Sequence, residues 1–110
     1  MRISEPPWSR TCWIVGNAAV MRAGFVISPV APVSAFPAEW ASPTNDPQRA
    51  MEHIAFTLPC NMSEQPAASV NWGWASDGMP IGVQIAGQRF DDLGVMRMAR
   101  AIELLRPAQK

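Results

Sequence analysis

The sequence predicts an α/β fold in which two or three short strands form part of one sheet and two or three helices lie against it. Residues 81–86 place Ile81, Val83 and Ile85 on one face and Gly82, Gln84 and Ala86 on the other, with the period of a strand. Residues 91–106 carry apolar side chains at helical spacing. The turn residues 76–78 stand directly before the strand. A strand and a helix joined by a short connection are typical of an α/β domain.

The first predicted strand covers residues 24–29 and is expected to be buried and to end at Pro29. Pro32 and Pro37 follow it and fix the backbone in extended form. We therefore expect an extended, polyproline-like passage after this strand.

A helix is predicted over residues 46–56. Asp46 can accept a hydrogen bond from a free backbone N–H, and Pro47 loses nothing at the first helical position. One side of this helix is apolar, through Met51, Ile54 and Ala55. Pro59 limits its extent, so residues 57–66 are expected to be a loop.

The central strands are predicted at residues 67–70 and 81–86. The first has small side chains, which suits a strand packed closely beneath another layer. Gly78 takes the positive φ of the turn at no steric cost. The second strand is expected to have both faces covered.

The last helix is predicted over residues 91–106. Asp91 and Asp92 lie near its positive end, and Arg106 lies near its negative end. Pro107 stops it. Its apolar stripe is expected to lie on the sheet and consists of Val95, Met98, Ala99, Ile102 and Leu105.

Residues 1–23 form an N-terminal lead-in of a different character. Residues 11–23 could form one helix. The longest apolar stretch, residues 12–27, is interrupted by Asn17 and Arg22 and is too short and too polar to cross a bilayer. Glu5, Pro6 and Pro7 stand where a signal peptide needs basic residues, so secretion is not indicated.

Composition narrows the class of protein. The 110 residues make one domain at most, and 48% of them are hydrophobic. Nine basic and nine acidic side chains cancel without runs of either sign, so no surface for nucleic acid or anionic lipid is expected. Two reduced thiols, Cys12 and Cys60, indicate a cytoplasmic protein, and a single histidine argues against a structural zinc site.

The C-terminal half carries the segments that identify a family resemblance. They occur in one register over about fifty residues: Phe56, Thr57, Pro59 and Asn61, then residues 65–70 (QPAASV), residues 78–87 (GMPIGVQIAG) and residues 89–92 (RFDD). This order resembles the C-terminal end of the amidase signature family of amide hydrolases. A less specific similarity reaches back to about Phe25, so residues 24–110 are expected to be the C-terminal portion of an amidase domain.

The resemblance implies hydrolysis of a carboxamide to acid and ammonia through a serine acyl-enzyme, without metal or organic cofactor. The family uses a Ser nucleophile, a second Ser in a cis peptide, and a Lys. This sequence has no Ser-Ser pair and no Gly-Gly, and its single lysine is Lys110. No catalytic residue is therefore assigned, and the chain alone is expected to be inactive.

Three positions depart from the family pattern. Glu64 stands at a usual glycine, and Asn71 replaces a usual proline. In the tRNA-dependent amidotransferase subunit of the family, an Asp that recognises glutamine corresponds to Ile54. The resemblance therefore favours a general amidase that acts on a small-molecule amide over that subunit.

Other candidate residues have structural explanations that we favour. Cys60 and His53 are seven positions apart, but a reactive cysteine needs an oriented base and oxyanion donors that the sequence does not show. Asp91 and Asp92 are explained by the helix start. Gln84 needs hydrogen-bond partners in an apolar strand or else lines a substrate pocket. Trp72 and Trp74 either pack in the core or wall a pocket.

Two alternative hypotheses remain open on the sequence. The chain could be a non-catalytic partner that docks to a separately encoded N-terminal amidase half, because its strands would leave unpaired edges. It could also be a degenerate gene fragment, as the unmatched residues 1–23 and Glu64 suggest.

Overall fold

The structure is a computed structural model, and it describes residues 24–108. The helix predicted over residues 11–23, together with Cys12 and Lys110, lies outside the described residues. Among the described residues, no helix is long and apolar enough to cross a membrane.

Three antiparallel strands form the sheet: β1 (Val26–Pro29), β2 (Ala67–Trp74) and β3 (Pro80–Ala86). Their order is β1-β3-β2, so β3 lies in the centre. The predicted turn at residues 76–78 joins β2 to β3, and Gly78 takes a φ of 83°. β3 pairs with β2 along its whole length and with β1 over residues 83–86, and the residues at its C-terminal end are the most deeply buried of the strand.

The prediction that β1 is buried was wrong. Its residues alternate between half-buried and exposed, and Ile27 is 54% exposed. β1 pairs with β3 on one side only within the described part of the chain, so it is an edge strand. The N-terminal end of β3 is also exposed, and both faces of β3 are covered only from Gln84 onward.

Helix α2 (Asp92–Leu105) follows the sheet and packs mainly against β2 and also against β3. Asp91 caps it by accepting a hydrogen bond from the Gly94 N–H at 3.1 Å. Val95 is 3% exposed, and three further members of the predicted stripe are half-buried: Met98, Ala99 and Ile102. Leu105, the last member, is 75% exposed and does not join the buried stripe.

The helix predicted over residues 46–56 is not formed. Two 3-10 helices take its place, Pro47–Arg49 and Glu52–Ile54, and the α-helix α1 (Leu58–Ser63) lies in the predicted loop. Asp46 does cap the first of them, since its Oδ1 accepts from the Gln48 N–H at 2.9 Å. Met51 is 60% exposed, so the apolar side of the predicted helix lacks the burial that stabilises short helices.

Pro59 lies in the first turn of α1, where a missing N–H costs nothing. The helix ends at Glu64, which has a φ of 58° and a ψ of 34° in the left-handed region. Arg89 pairs with the Glu64 carboxylate. Glu64 thus adopts the conformation that a glycine would take at this turn.

Candidate functional site

An open groove of about 630 Å³ lies between the proline-rich passage and one face of the sheet. Its floor comes from β2 and β3, and its wall comes from the chain that follows β1. The lining residues are Pro29, Val30, Ala31, Pro32, Val33, Ser34, Ala35, Phe36, His53, Ser69, Asn71, Ala75, Met79, Pro80, Ile81 and Gly82.

Gly82 allows the proline-rich passage to approach β3. A Cβ at this position would lie 2.8 Å from Val30 Cγ2 and 3.1 Å from Ser69 Oγ. The Val30 N–H donates to the Gly82 carbonyl at 3.2 Å and holds the two segments together. Gly82 therefore lies on the floor of the groove.

Two buried polar atoms in the groove have no hydrogen-bond partner among the described residues. They are His53 Nδ1 and Asn71 Oδ1. The His53 ring is held by an edge-to-face contact with Phe36, with ring centroids 5.7 Å apart. An unpaired buried polar atom costs about 1–3 kcal/mol. Both atoms are closed to solvent, so an occupant of the open groove does not reach them.

Gln84 lies at the centre of the sheet and is 7% exposed. Its Nε2 donates to the Phe56 carbonyl at 3.0 Å and to Ser28 Oγ at 3.3 Å, and it lies 3.9 Å from Cys60 Sγ. These contacts connect β3 to β1 and to the start of α1. They favour the structural explanation of Gln84, and Gln84 does not line the groove.

Cys60 and His53 do not form a catalytic pair in this structure. The Cys60 thiol contacts Gln84, whereas the His53 ring contacts Phe36. Burial raises the pKa of the Cys60 thiol, which disfavours the thiolate that a nucleophile needs. The structure thus gives Cys60 the surroundings of a packing residue.

The two tryptophans lie away from the groove lining. Trp72 is half-buried at an irregularity of β2, where the pairing with β3 shifts between Asn71 and Gly73. Trp74 is 50% exposed. Neither tryptophan therefore forms a wall of the groove, which was one of the two alternatives that the sequence allowed.

No group of three or more His, Cys, Asp or Glu side chains suited to a metal ion occurs within residues 24–108. His53 is the one titratable side chain in the groove lining. The sequence reasoning had missed Asn71 and the groove as a site. The available signal was Gly82 together with the proline-rich passage, because a glycine inside a strand often marks the close approach of another backbone.

Comparison with known proteins gives a family match over most of the chain. The model of the family described as Amidase matches residues 17–96. A glutamyl-tRNA(Gln) amidotransferase subunit of Myxococcus xanthus is 40% identical over 78 residues. That alignment covers 71% of this chain and 16% of the relative.

Solved structures agree with this match. The corresponding glutamyl-tRNA(Gln) amidotransferase subunit of Thermotoga maritima superposes with a TM-score of 0.76 and 34% identity, over 92% of this chain and 22% of that one. A 6-aminohexanoate cyclic dimer hydrolase, complexed with substrate, superposes with a TM-score of 0.62 and 30% identity. It is matched over 77% of this chain and 20% of its own. The chain thus spans less than a quarter of the length of these relatives.

Proposed function

The chain belongs to the amidase family, and from this membership we propose that it is the C-terminal portion of an amidase domain that hydrolyses a carboxamide to an acid and ammonia. The observation that carries the proposal is the superposition of 92% of this chain on 22% of a longer relative. The match to a cyclic dimer hydrolase supports hydrolysis as the type of reaction.

In the complete domain, a serine oxygen would add to the amide carbonyl carbon, and the carbon–nitrogen bond would break as nitrogen leaves with a proton as ammonia. Water would then attack the acyl ester, release the acid and restore the serine hydroxyl. Backbone N–H groups would stabilise the oxyanion in both steps. No metal or organic cofactor is required for this sequence of steps.

We propose that the 110 residues are inactive alone, because they do not supply these groups. The sequence has no Ser-Ser pair and no Gly-Gly, and Lys110 is its single lysine. The alternative nucleophile, Cys60, is buried and its pKa is raised. The chain instead contributes β3, α1 and α2 to the domain as its structural part.

The substrate we propose is a small-molecule amide in the cytoplasm. Ile54 lies at the position where the amidotransferase subunit has its glutamine-recognising Asp. Its half-buried hydrocarbon side chain carries no charge, so it cannot bind an amine as a carboxylate does. The two thiols of the sequence support a reducing compartment. Of the relatives reported above, two are amidotransferase subunits and one is a cyclic dimer hydrolase, so the choice of a small-molecule amide rests on Ile54.

Ammonia release from simple aliphatic and aromatic carboxamides tests the proposal. The purified chain should release no ammonia above a buffer blank. A Cys60→Ala variant provides the control for thiol chemistry, and it should give the same result. Sustained ammonia release by the wild-type chain over many turnovers would contradict the proposal that these 110 residues are inactive alone.

A second candidate function is that of a non-catalytic partner for a separately encoded N-terminal half. Within residues 24–108, β1 and β2 each pair on one side only, and the groove is open; both features favour this function, because such surfaces are normally covered. Mixing with such a half should then restore hydrolysis, whereas a degenerate gene fragment should restore none.

A further inference from the structure

We propose that the groove seats an uncharged, apolar polypeptide segment from the part of an amidase domain that lies outside these 110 residues. The inference rests on the proposed function and names the surface through which the two parts meet. Two properties identify its occupant: the apolar walls of the groove and its place on an unusually flat molecule.

The groove walls are apolar and open. Val33, Met79 and Ile81 are 39%, 41% and 46% exposed, and all three line the groove. No Asp, Glu, Lys or Arg occurs in its lining. Covering this surface removes apolar area from water at about 25 cal/mol per Å², while a charged occupant would lose its hydration without gaining an ion pair.

The shape of the molecule indicates where that segment comes from. The radius of gyration is 16.2 Å, and the smallest dimension is 15 Å. A compact domain of 100 residues has a radius of about 13 Å. In the Thermotoga maritima relative the matched residues make up 22% of one continuous chain. A flat segment of a larger fold is expected to have its open face covered by the rest of that fold.

The test is capture by co-expression. The Thermotoga maritima protein is truncated to remove the 22% that matches this chain, and it is expressed together with the tagged 110-residue chain so that both fold together. The tagged chain should retain the truncated protein. The full-length Thermotoga maritima protein should not be retained, because its own matching segment occupies the surface.

Two groove variants and one matched control locate the contact. Ile81→Asp and Val33→Asp each place a charge in the groove and should reduce capture at least tenfold. Leu104→Asp changes an equally apolar side chain on α2 that is 68% exposed and outside the groove, so it should leave capture unchanged. Two groove variants on separate segments guard against loss of folding in one of them.

Each contrary outcome overturns the inference in a recognisable way. Equal capture by the wild-type chain and its three variants would place the contact elsewhere, while the proposed function would stand. A wild-type dimer on gel filtration that Ile81→Asp converts to monomer would assign the groove to a second copy. No capture of the truncated protein would remove the docking surface, whereas failure of the proposed function shows separately as ammonia release by the chain alone.

Discussion

The two halves of the described chain are stabilised in different ways. Residues 67–105, which hold β2, β3 and α2, bury aliphatic side chains such as Ile85, Val70 and Val95. Residues 30–66, which hold the proline-rich passage and α1, bury Ser42 and Ser63 to 1% and 0% exposure, and they add one apolar core residue, Cys60, which packs with Ala86. The first half is therefore held by apolar burial, and the second is held largely by hydrogen bonds.

The hydrogen bonds of residues 30–66 are local and involve side chains. Ser42 Oγ accepts from the Asp46 N–H at 3.2 Å, and the Ser63 hydroxyl donates to the Pro59 carbonyl at 2.7 Å. Gln84 is one of the contacts that connect this half to the sheet, beside the hydrogen bond from the Val30 N–H to the Gly82 carbonyl. Irregular backbone of this kind needs individual partners, because it has no repeating ladder to satisfy it.

Truncation of Ile85 should produce the largest effect on stability. Ile85 is fully buried, so Ile85→Ala leaves a cavity and should lower the free energy of unfolding by about 2–5 kcal/mol. Urea unfolding followed by tryptophan fluorescence measures it. Ser63→Ala is the matched control at equal burial and should cost only about 1 kcal/mol. Equal losses would show that the two halves do not differ as described.

Replacement of Gln84 should separate the halves. Gln84→Leu keeps the volume but leaves the Phe56 carbonyl without its donor, at a cost of about 1–3 kcal/mol. Amide hydrogen exchange should rise in α1 and stay unchanged in α2. Ser28→Ala removes only the longer contact at 3.3 Å and should have a smaller effect. A uniform rise along the chain would argue against Gln84 as the local connection.

Glu64→Gly should stabilise the chain slightly. The left-handed conformation costs a residue with a side chain roughly 1–2 kcal/mol, which glycine avoids. The ion pair with Arg89 is lost, but both side chains are more than a third exposed, so the pair contributes only about 0.2–1 kcal/mol. Arg89→Ala alone measures that part. Thermal unfolding of the three chains would contradict this reasoning if Glu64→Gly melted lowest.

The smallest effect concerns the pH dependence contributed by Cys60. Burial raises the pKa of its thiol above the ordinary value of about 8.5, so the folded state favours the neutral form. This contribution is fully present below the ordinary pKa and is lost as the pH rises through the folded pKa. The urea midpoint should therefore fall more between pH 8 and 10 for the wild-type chain than for Cys60→Ala. Parallel curves would show that the thiol is not desolvated.

The last helix and the central hairpin could be predicted from the sequence because their signals are local. Asp91 caps α2 as expected, and Gly78 takes the positive φ that its turn requires. The region of residues 46–66 could not be predicted in the same way. Its helix formed at Leu58–Ser63 instead. Met51 is exposed and gives the predicted helix no apolar burial, and Pro59 is tolerated in a first helical turn.

The candidate site shows the same limit. The sequence led to Gln84, Cys60 and His53, and only His53 lines the groove. Asn71 was noticed as a departure from a family pattern, but its position beside the groove depends on the register of β2 against β3. Side chains from distant segments meet only after the sheet has formed.

The sequence by itself determined the family, the alternation of β3 and the periodicity of α2, because these are patterns of neighbouring residues. Only the tertiary structure decided that β1 is an exposed edge, that Gln84 is satisfied by the Phe56 carbonyl, and that two residues beside the groove have unpaired buried polar atoms. Burial and hydrogen-bond satisfaction depend on which distant segments lie on each face of the sheet. That arrangement is a property of the assembled fold and has no local signature in the chain.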